Sequence, residues 1–165
     1  MRVYFLRHAV AAERGTVVVP NDDRVLTKDG IRKMKKEARS LPSLIPRVDV
    51  ILTSPFSRAK ETAGIAAEAL SAAHVIKESS HLAPGKPARE VLKLLGAHAG
   101  MNSVLLVGHE PQLSAAISLL LGIEKPVVEM KKGGMCCLEL RNVVSMKGAQ
   151  LIWHLTPKQL RALGK

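Results

Sequence analysis

The chain has 165 residues, of which 47% are hydrophobic, and this size and composition suit one domain with a substantial core, residues 1–165. The longest apolar stretch, 113–122, is too short to span a bilayer, and Arg7 and His8 interrupt the first apolar run too early for a signal peptide. A formal net charge of +11 suits a polyanionic partner, but the basic run at 31–39 contains no aromatic residue on which single-stranded nucleic acid would stack. We therefore expect a cytoplasmic protein without membrane or nucleic-acid partners.

The predicted elements alternate between strands and helices along the chain. Apolar runs predict strands at 2–6, 48–54, 73–78, 103–108, 135–140 and 150–155. Helical spacing of apolar residues predicts helices at 28–41, 58–72, 87–98 and 111–121. Thr27 is the predicted N-cap of the first helix, and Pro111 stands in the first turn of the last one. The alternation predicts an α/β fold, a single-domain three-layer α/β/α sandwich with a mainly parallel central sheet.

Residues 9–25, between the first strand and the first helix, show no clear helical period. A long loop directly after a charged strand end often borders a site, and Glu13, Asp22 and Asp23 would then lie near it. The same composition also fits a surface loop with no role in a site. Both interpretations stay open at this point.

Polar residues follow three of the predicted strands. Arg7 and His8 follow the first strand, Arg58 opens the helix after the second, and His109 follows the fourth. Because ligands bind at the carboxyl ends of the strands in open α/β sheets, we expect these four side chains to converge. Two guanidinium groups and two imidazoles suit a dianion, and the helix N-termini beside them add N–H donors. The sequence therefore predicts a phosphate site.

A site of this composition can transfer a phosphoryl group without a metal ion. A neutral imidazole is a nucleophile, and arginines stabilise the charge on the group in transfer. The chain has no H-x-H or D-x-D spacing typical of a metal centre and no G-x-x-x-x-G-K typical of a P-loop. Cys136 and Cys137 lie within a predicted strand, without the arginine cradle of a cysteine phosphatase and without the geometry for a mutual disulfide. We therefore expect neither a metal nor another cofactor.

Three motifs give the chain a resemblance to a known family. They are "LRHA" at 6–9, "LTSPFSRAKETA" at 52–63 and "VGHEP" at 107–111. Three further stretches belong to the same pattern: "DDRVLTKDG" at 22–30, "LAPG" at 82–85 and "WHLTP" at 153–157. Together they resemble the histidine phosphatase superfamily, which includes the phosphoglycerate mutases, and within it the compact SixA-like phosphohistidine phosphatases. The resemblance implies a phosphoglycerate mutase-like fold. It also implies that His8 takes up the phosphoryl group and that Arg7, Arg58 and His109 hold the phosphate.

The proton donor is the point at which the chain departs from the larger members of that family. They carry a glutamate near the region that matches "ESSHLAPG", often together with an inserted cap, and here the resemblance places Ser80 or His81 close to that position. We consider His81 and Glu110 as candidates for the general acid. Between Ser80 and Ser103 there is room for one helix, so no cap domain is expected.

These features predict a metal-independent phosphatase that works through a covalent phosphohistidine on His8. An uncapped pocket admits a histidine carried by another protein, and the nitrogen of a phosphohistidine depends less on an enzymic acid than an alcohol does. The favoured substrate is therefore a phosphotransfer domain that bears phosphohistidine. Two alternatives stay open: a phosphatase of small phosphate esters, and a non-catalytic basic module that binds phosphorylated ligands or nucleic acid.

Overall fold

The computed structural model describes residues 1–13, 15, 22–141 and 148–165. The strands of this described part are β1 (Arg2–Arg7), β2 (Val50–Thr53), β3 (Ile76–Glu78), β4 (Ser103–Gly108), β5 (Met135–Glu139) and β6 (Gln150–Leu155). Its helices are α1 (Lys28–Ala38), α2 (Leu41–Leu44), α3 (Ser57–Ala69), α4 (Ala88–Gly96), α5 (Gln112–Leu121) and α6 (Pro157–Leu163). Short 3₁₀ turns lie at Ala73–Val75 and Ser80–Leu82.

The strands form one six-stranded sheet in the order β3-β2-β4-β1-β5-β6. The pairs β3–β2, β2–β4 and β4–β1 are parallel, whereas β1–β5 and β5–β6 are antiparallel. This arrangement confirms the predicted α/β fold with a mainly parallel sheet. Residues 142–147, in the connection between β5 and β6, lie outside the described residues.

The sheet separates two apolar clusters because neighbouring strand residues point to opposite faces. In β1, Tyr4 and Leu6 contribute to the cluster under α1, α3 and α6, while Val3 and Phe5 contribute to the cluster under α4 and α5. All four side chains are almost completely buried. The result is the three-layer sandwich expected from the sequence.

The N-terminus of α1 lies where the chain passes close to the loop after β1. Thr27 Oγ1 accepts a hydrogen bond from the Gly30 N–H at 2.9 Å, which confirms the predicted N-cap. The Thr27 N–H donates to the Val10 carbonyl at 3.0 Å, and a Cβ at Gly30 would collide with that same carbonyl. Gly30 weakens the helix by propensity, but it permits the approach that holds Val10 against α1.

The predicted first helix, 28–41, is too long by three residues, because α1 ends at Ala38 and the separate short helix α2 starts at Leu41. The Ser40 hydroxyl donates to the Glu37 carbonyl at 2.8 Å, and the Ser40 N–H donates to the same oxygen at 3.2 Å. These bonds satisfy a carbonyl that the continuing helix would otherwise have used, so α1 ends at Ala38 and α2 begins at Leu41.

Two further elements differ from the sequence prediction. The predicted strand 73–78 is correct only for its second half, because Ala73–Val75 forms a 3₁₀ turn and β3 starts at Ile76. Helix α6 was absent from the prediction. It begins at Pro157 behind a capping box, in which Thr156 accepts from the Gln159 N–H and the Gln159 side chain accepts from the Thr156 N–H.

The described part of the chain contains neither a membrane-spanning helix nor a cluster of metal ligands. None of its helices is long and apolar enough to cross a membrane. It also contains no group of three or more His, Cys, Asp or Glu side chains arranged to hold a metal ion. Cys136 and Cys137 are buried free thiols on opposite faces of the sheet.

Candidate active site

The predicted site residues converge at the carboxyl ends of β1, β2 and β4, which are neighbours in the sheet. Arg7, the last residue of β1, stands beside Gly108, the last residue of β4. A pocket of about 260 Å³ opens at this edge. It is lined by Arg7, His8, Arg24, Arg58, Pro84, His109, Glu110 and Lys132. All four residues predicted to bind the phosphoryl group therefore lie in one cavity.

The His8 imidazole is held in the form that a nucleophile needs. Its side chain is buried, with 7% of the residue exposed, and Nδ1 lies 2.8 Å from the Ala9 carbonyl oxygen. A carbonyl oxygen can only accept, so Nδ1 carries the proton and donates it to Ala9. The proton-free nitrogen is therefore Nε2, whose lone pair is available to attack phosphorus.

Thr62 fixes the backbone around His8. The Ala9 N–H donates to Thr62 Oγ1 at 3.0 Å, and the Thr62 hydroxyl donates to the Arg58 carbonyl at 2.6 Å. The His8 N–H donates to the Gly108 carbonyl at 3.0 Å. Because these bonds join the residues after β1 to α3 and to β4, the segments that carry Arg58 and His109 keep a constant position relative to His8.

His109 lies opposite His8, with 5.0 Å between the ring centroids. Its Nε2 is 2.8 Å from Ser54 Oγ, and Ser54 Oγ accepts from the Phe56 N–H at 3.3 Å. The Ser54 hydroxyl can donate its own proton to Nε2, and in that tautomer the proton of the His109 ring is on Nδ1. Nδ1 is buried and has no hydrogen-bond partner within the described residues, so in this tautomer its N–H can donate to an oxygen of a bound phosphoryl group.

Both imidazoles are neutral in the folded protein near neutral pH. Burial lowers the pKa of His8 to about 4, a hydrogen bond to Ala9 opposes this, and the Arg58 and Arg7 charges lower it further. Burial also lowers the pKa of His109 to about 3, helped by His8 and Arg58. Burial, together with the neighbouring arginine charges, thus keeps the His8 imidazole unprotonated.

This protonation state can be checked by titrating the imidazole nitrogens with ¹⁵N NMR. We expect His8 and His109 to be neutral at about pH 5.5, because both pKa values lie below that pH, whereas in denaturant both titrate near the ordinary value of about 6.5. The His8 spectrum should also show the proton on Nδ1. An imidazolium at position 8 at that pH would contradict the structure-based assignment.

Arg7 has guanidinium nitrogens left for a ligand. Its Nη1 donates to the Met130 carbonyl at 2.7 Å, while its buried Nε has no partner among the described residues. The Arg7 backbone is also fixed, because its N–H donates to the Gly134 carbonyl at 3.2 Å and its carbonyl accepts from the Gly133 N–H at 3.1 Å. The hydrogen bond to Met130 therefore orients the Arg7 guanidinium group, and its remaining N–H donors can bind phosphate oxygens.

Arg58 is almost fully buried, with 4% of its side chain exposed. The guanidinium carbon stands 5.1 Å above the centre of the Phe56 ring, which is a cation–π contact. Its Nη1 donates to the Asp22 carbonyl at 2.8 Å, and its Nη2 lies 3.9 Å from Asp22 Oδ2. A cation held in this way stays in the pocket whether or not a phosphoryl group is present.

The described end of the loop 9–25 borders the site, in agreement with the first of its two interpretations. Asp23 caps α3, since its carboxylate accepts from the Ser57 N–H at 2.5 Å and from the Ser57 hydroxyl at 2.9 Å. Asp22 accepts two bonds from Arg24, at 2.7 and 3.2 Å, and so places Arg24 at the pocket wall. Residues 14 and 16–21 lie outside the described residues.

The two general-acid candidates have different surroundings. Glu110 lines the pocket, but its carboxylate also caps α5 by accepting from the Ser114 N–H at 3.0 Å and from the Ser114 hydroxyl. His81 is not among the pocket-lining residues, and its Nδ1 lies 2.7 Å from Glu90 Oε2. The structure therefore brings Glu110 to the phosphate pocket and pairs His81 with a carboxylate outside it.

Arg24 and Lys132 line the pocket although neither was among the predicted site residues. The sequence did contain a signal for Arg24, because it lies in "DDRVLTKDG", one of the stretches that resemble the family. Lys132 lies in "KKGG", a stretch with no such signal. Both add positive charge to a pocket already built for an anion.

Comparison with known proteins decides the family. The model for branch 1 of the histidine phosphatase superfamily matches residues 3–82, which include Arg7, His8 and Arg58. An uncharacterised protein of Picosynechococcus is 34% identical over 138 residues, which cover 82% of each chain. The chain belongs to the histidine phosphatase superfamily. As a member of that family, it is a phosphatase.

Solved structures share the whole fold of this phosphatase. The protein histidine phosphatase SixA in complex with tungstate has a TM-score of 0.84 at 24% identity, covering 97% of this chain and 99% of that one. A protein of Agrobacterium tumefaciens assigned to the SixA phosphohistidine phosphatases has a TM-score of 0.77 at 26% identity, covering 94% and 97%. A mycobacterial glucosyl-3-phosphoglycerate phosphatase has a TM-score of 0.73 at 17% identity, covering 94% and 99%. The fold is therefore common to phosphatases of protein and of small-molecule substrates.

Proposed function

We propose that this cytoplasmic phosphatase removes the phosphoryl group from phosphohistidine in a protein, through a covalent phosphohistidine on His8. The observation that carries the proposal is the His8 imidazole, with Nδ1 donating to Ala9 and Nε2 left unprotonated among arginine side chains. The similarity of fold to SixA supports the substrate class.

The first chemical step is an in-line displacement at phosphorus. The substrate phosphohistidine reacts with a proton on its other ring nitrogen. His8 Nε2 forms the new P–N bond, the P–N bond of the substrate breaks, and the substrate histidine leaves as neutral imidazole with that proton, while His8 becomes a phosphorylated imidazolium that keeps its Nδ1 proton. Arg7, Arg58 and the His109 Nδ1–H hold the phosphoryl oxygens during the transfer. Because one P–N bond replaces another, this step places little demand on an enzymic acid.

The second step is hydrolysis of the phosphorylated enzyme. Water attacks phosphorus, the P–Nε2 bond breaks, and inorganic phosphate leaves with the oxygen and both protons of that water, as H2PO4−. His8 recovers its neutral form with the proton still on Nδ1, because the Ala9 carbonyl holds that proton throughout. Guanidinium groups supply the positive charge in both steps, and we propose that no metal ion is needed.

An uncapped pocket supports a protein substrate. The chain between β3 and β4 contains only the turn Ser80–Leu82 and α4, whose buried residues pack against the sheet in the cluster under α4 and α5. Neither covers the pocket in the way that an inserted domain would. The absence of an inserted domain among the described residues supports access of a histidine on the surface of another protein to His8.

The substrate class can be tested by comparing kcat/KM for a phosphotransfer domain phosphorylated on histidine with kcat/KM for phosphoserine and 3-phosphoglycerate, which are esters of alcohols. We expect the phosphorylated domain to be favoured by about 100-fold or more, because alcohol leaving groups need a proton donor that a nitrogen leaving group needs less. The variant His8→Ala measures the spontaneous loss of phosphohistidine. Equal or faster turnover of a small ester would identify the protein as a small-molecule phosphomonoesterase instead.

A further inference from the structure

A second pocket, also of about 260 Å³, adjoins the active site. We call it the lysine pocket, and its charged lining residues are Lys33, Glu37, Lys131, Lys132 and Arg161. Lys132 lines the lysine pocket and the phosphate pocket alike. A molecule that places its phosphoryl group at His8 therefore has a neighbouring cavity within its reach.

The lysine pocket has more positive than negative side chains, and two of its cations are not paired with a carboxylate of the described residues. Its carboxylate, Glu37, is 3% exposed and is paired with Arg161. Lys33 pairs with Asp29 at 2.6 Å on the surface of α1. Lys131 and Lys132 are exposed, and in the described part of the chain neither ammonium group has an ion-pair or hydrogen-bond partner.

The two unpaired lysines are presented by a backbone turn of fixed shape. The Gly134 N–H donates to the Lys131 carbonyl at 2.7 Å, and the Gly133 N–H donates to the Arg7 carbonyl at 3.1 Å. Gly133 has φ +81°, and a Cβ there would collide with the Glu37 carboxylate. The turn thus requires glycine, and it holds both lysines at a constant distance from the catalytic Arg7.

We propose that the lysine pocket binds a carboxylate side chain on the surface of the phosphoprotein substrate, next to the phosphorylated histidine. This inference rests on the proposed function and names the surface of the partner that is recognised. Exposed ammonium groups on a rigid turn attract a carboxylate on approach, and the net charge of +11 adds a long-range attraction to any acidic partner. The occupant is therefore an acidic patch on a protein.

The test replaces Lys131, which lines the lysine pocket but not the phosphate pocket, by glutamate. With an acidic phosphotransfer domain phosphorylated on histidine, we expect Lys131→Glu to lower kcat/KM about 10-fold at low salt with kcat unchanged, since rim charges act mainly on association. The loss should shrink as NaCl is raised. Turnover of p-nitrophenyl phosphate should stay at the wild-type rate.

The matched control is Lys125→Glu, which makes the same change of charge at an exposed residue beyond the C-terminal end of α5. Equal effects of the two variants would overturn the proposal, because net charge alone would then explain them. A loss that appears equally with 3-phosphoglycerate would also overturn it, because the occupant would be the carboxylate of a small ester. A wild-type enzyme that turns over small esters and no phosphoprotein would instead overturn the proposed function on which the inference rests.

Discussion

Replacing His8 by alanine should lower phosphatase activity by about 10⁴-fold or more, on the scale seen when other enzymes lose a covalent nucleophile. The buried His8 imidazole carries its proton on Nδ1, and no other side chain in the pocket offers a nitrogen lone pair in the same position. His109, the other imidazole of the pocket, has its Nε2 engaged with Ser54. Rescue of the lost step by a second residue is therefore not expected.

The intermediate itself can be observed by intact-mass spectrometry after an alkaline quench, which preserves phosphohistidine. Mixed with a reactive phosphoryl donor, the wild type should gain one phosphoryl group on His8, and His8→Ala should gain none. His74→Ala, at an exposed histidine outside the phosphate pocket, should behave as the wild type. An adduct that persists in His8→Ala would place the nucleophile elsewhere.

The same reaction in excess EDTA tests whether the cations of the pocket are sufficient. Arg7, Arg24, Arg58 and Lys132 all line it, and guanidinium groups can neutralise the oxygens of a phosphoryl group in transfer. We expect adduct formation and phosphate release to continue unchanged. Loss of both on chelation, with recovery on adding a divalent cation, would contradict the proposed metal-independent mechanism.

The part of the site that could be predicted from sequence lies at or shortly after strand ends. Arg7 ends β1, His8 and His109 come directly after β1 and β4, and Arg58 lies in the first turn of the helix after β2. The carboxyl ends of parallel strands lie at one edge of the sheet. That β1, β2 and β4 lie side by side in the sheet is decided by the tertiary structure. The hydrophobic pattern does not encode the strand order. The prediction that the site residues converge therefore rested on the general rule that ligands bind at the carboxyl ends of the strands in open α/β sheets.

The residues that were missed reach the pocket through turns. Arg24 is placed by Asp22, whose contact with Arg58 joins residues that are 36 positions apart in the chain. Lys132 is placed by the turn at Gly133, whose N–H donates to the Arg7 carbonyl, 126 positions earlier in the chain. Neither contact follows from local periodicity, because both depend on how two distant segments meet.

The limits of propensity are also visible in the helices. Apolar residues recur at helical spacing as far as Leu41, but α1 ends at Ala38, where the Ser40 side chain bonds to the Glu37 carbonyl. α6 has a capping box at Thr156 and Gln159, yet it spans only seven residues, too few for periodicity to identify. Side-chain bonds to the backbone decide where both segments begin and end.

Replacing Arg58 by alanine should lower kcat/KM by about 100- to 1000-fold, the range seen when one preorganised donor to a transition-state oxygen is removed. The buried guanidinium is fixed by Phe56 and Asp22 before substrate arrives, so the protein reorganises little during transfer. Arg58→Lys keeps the charge but loses the planar fork and its contact over the ring. We expect it to recover only part of the activity.

The comparison of these two variants separates charge from geometry. Steady-state kinetics on p-nitrophenyl phosphate should rank wild type above Arg58→Lys and Arg58→Lys above Arg58→Ala. Because Arg58 also contacts Asp22 and Phe56, the free energy of unfolding is measured for each variant, and activities are compared only where the protein is folded. Arg47→Ala, at an arginine whose side chain is 85% exposed, serves as the control for losing a guanidinium group from the surface. A fully active Arg58→Lys would show that only the charge matters, because an ammonium group cannot form the two parallel bonds of the guanidinium fork.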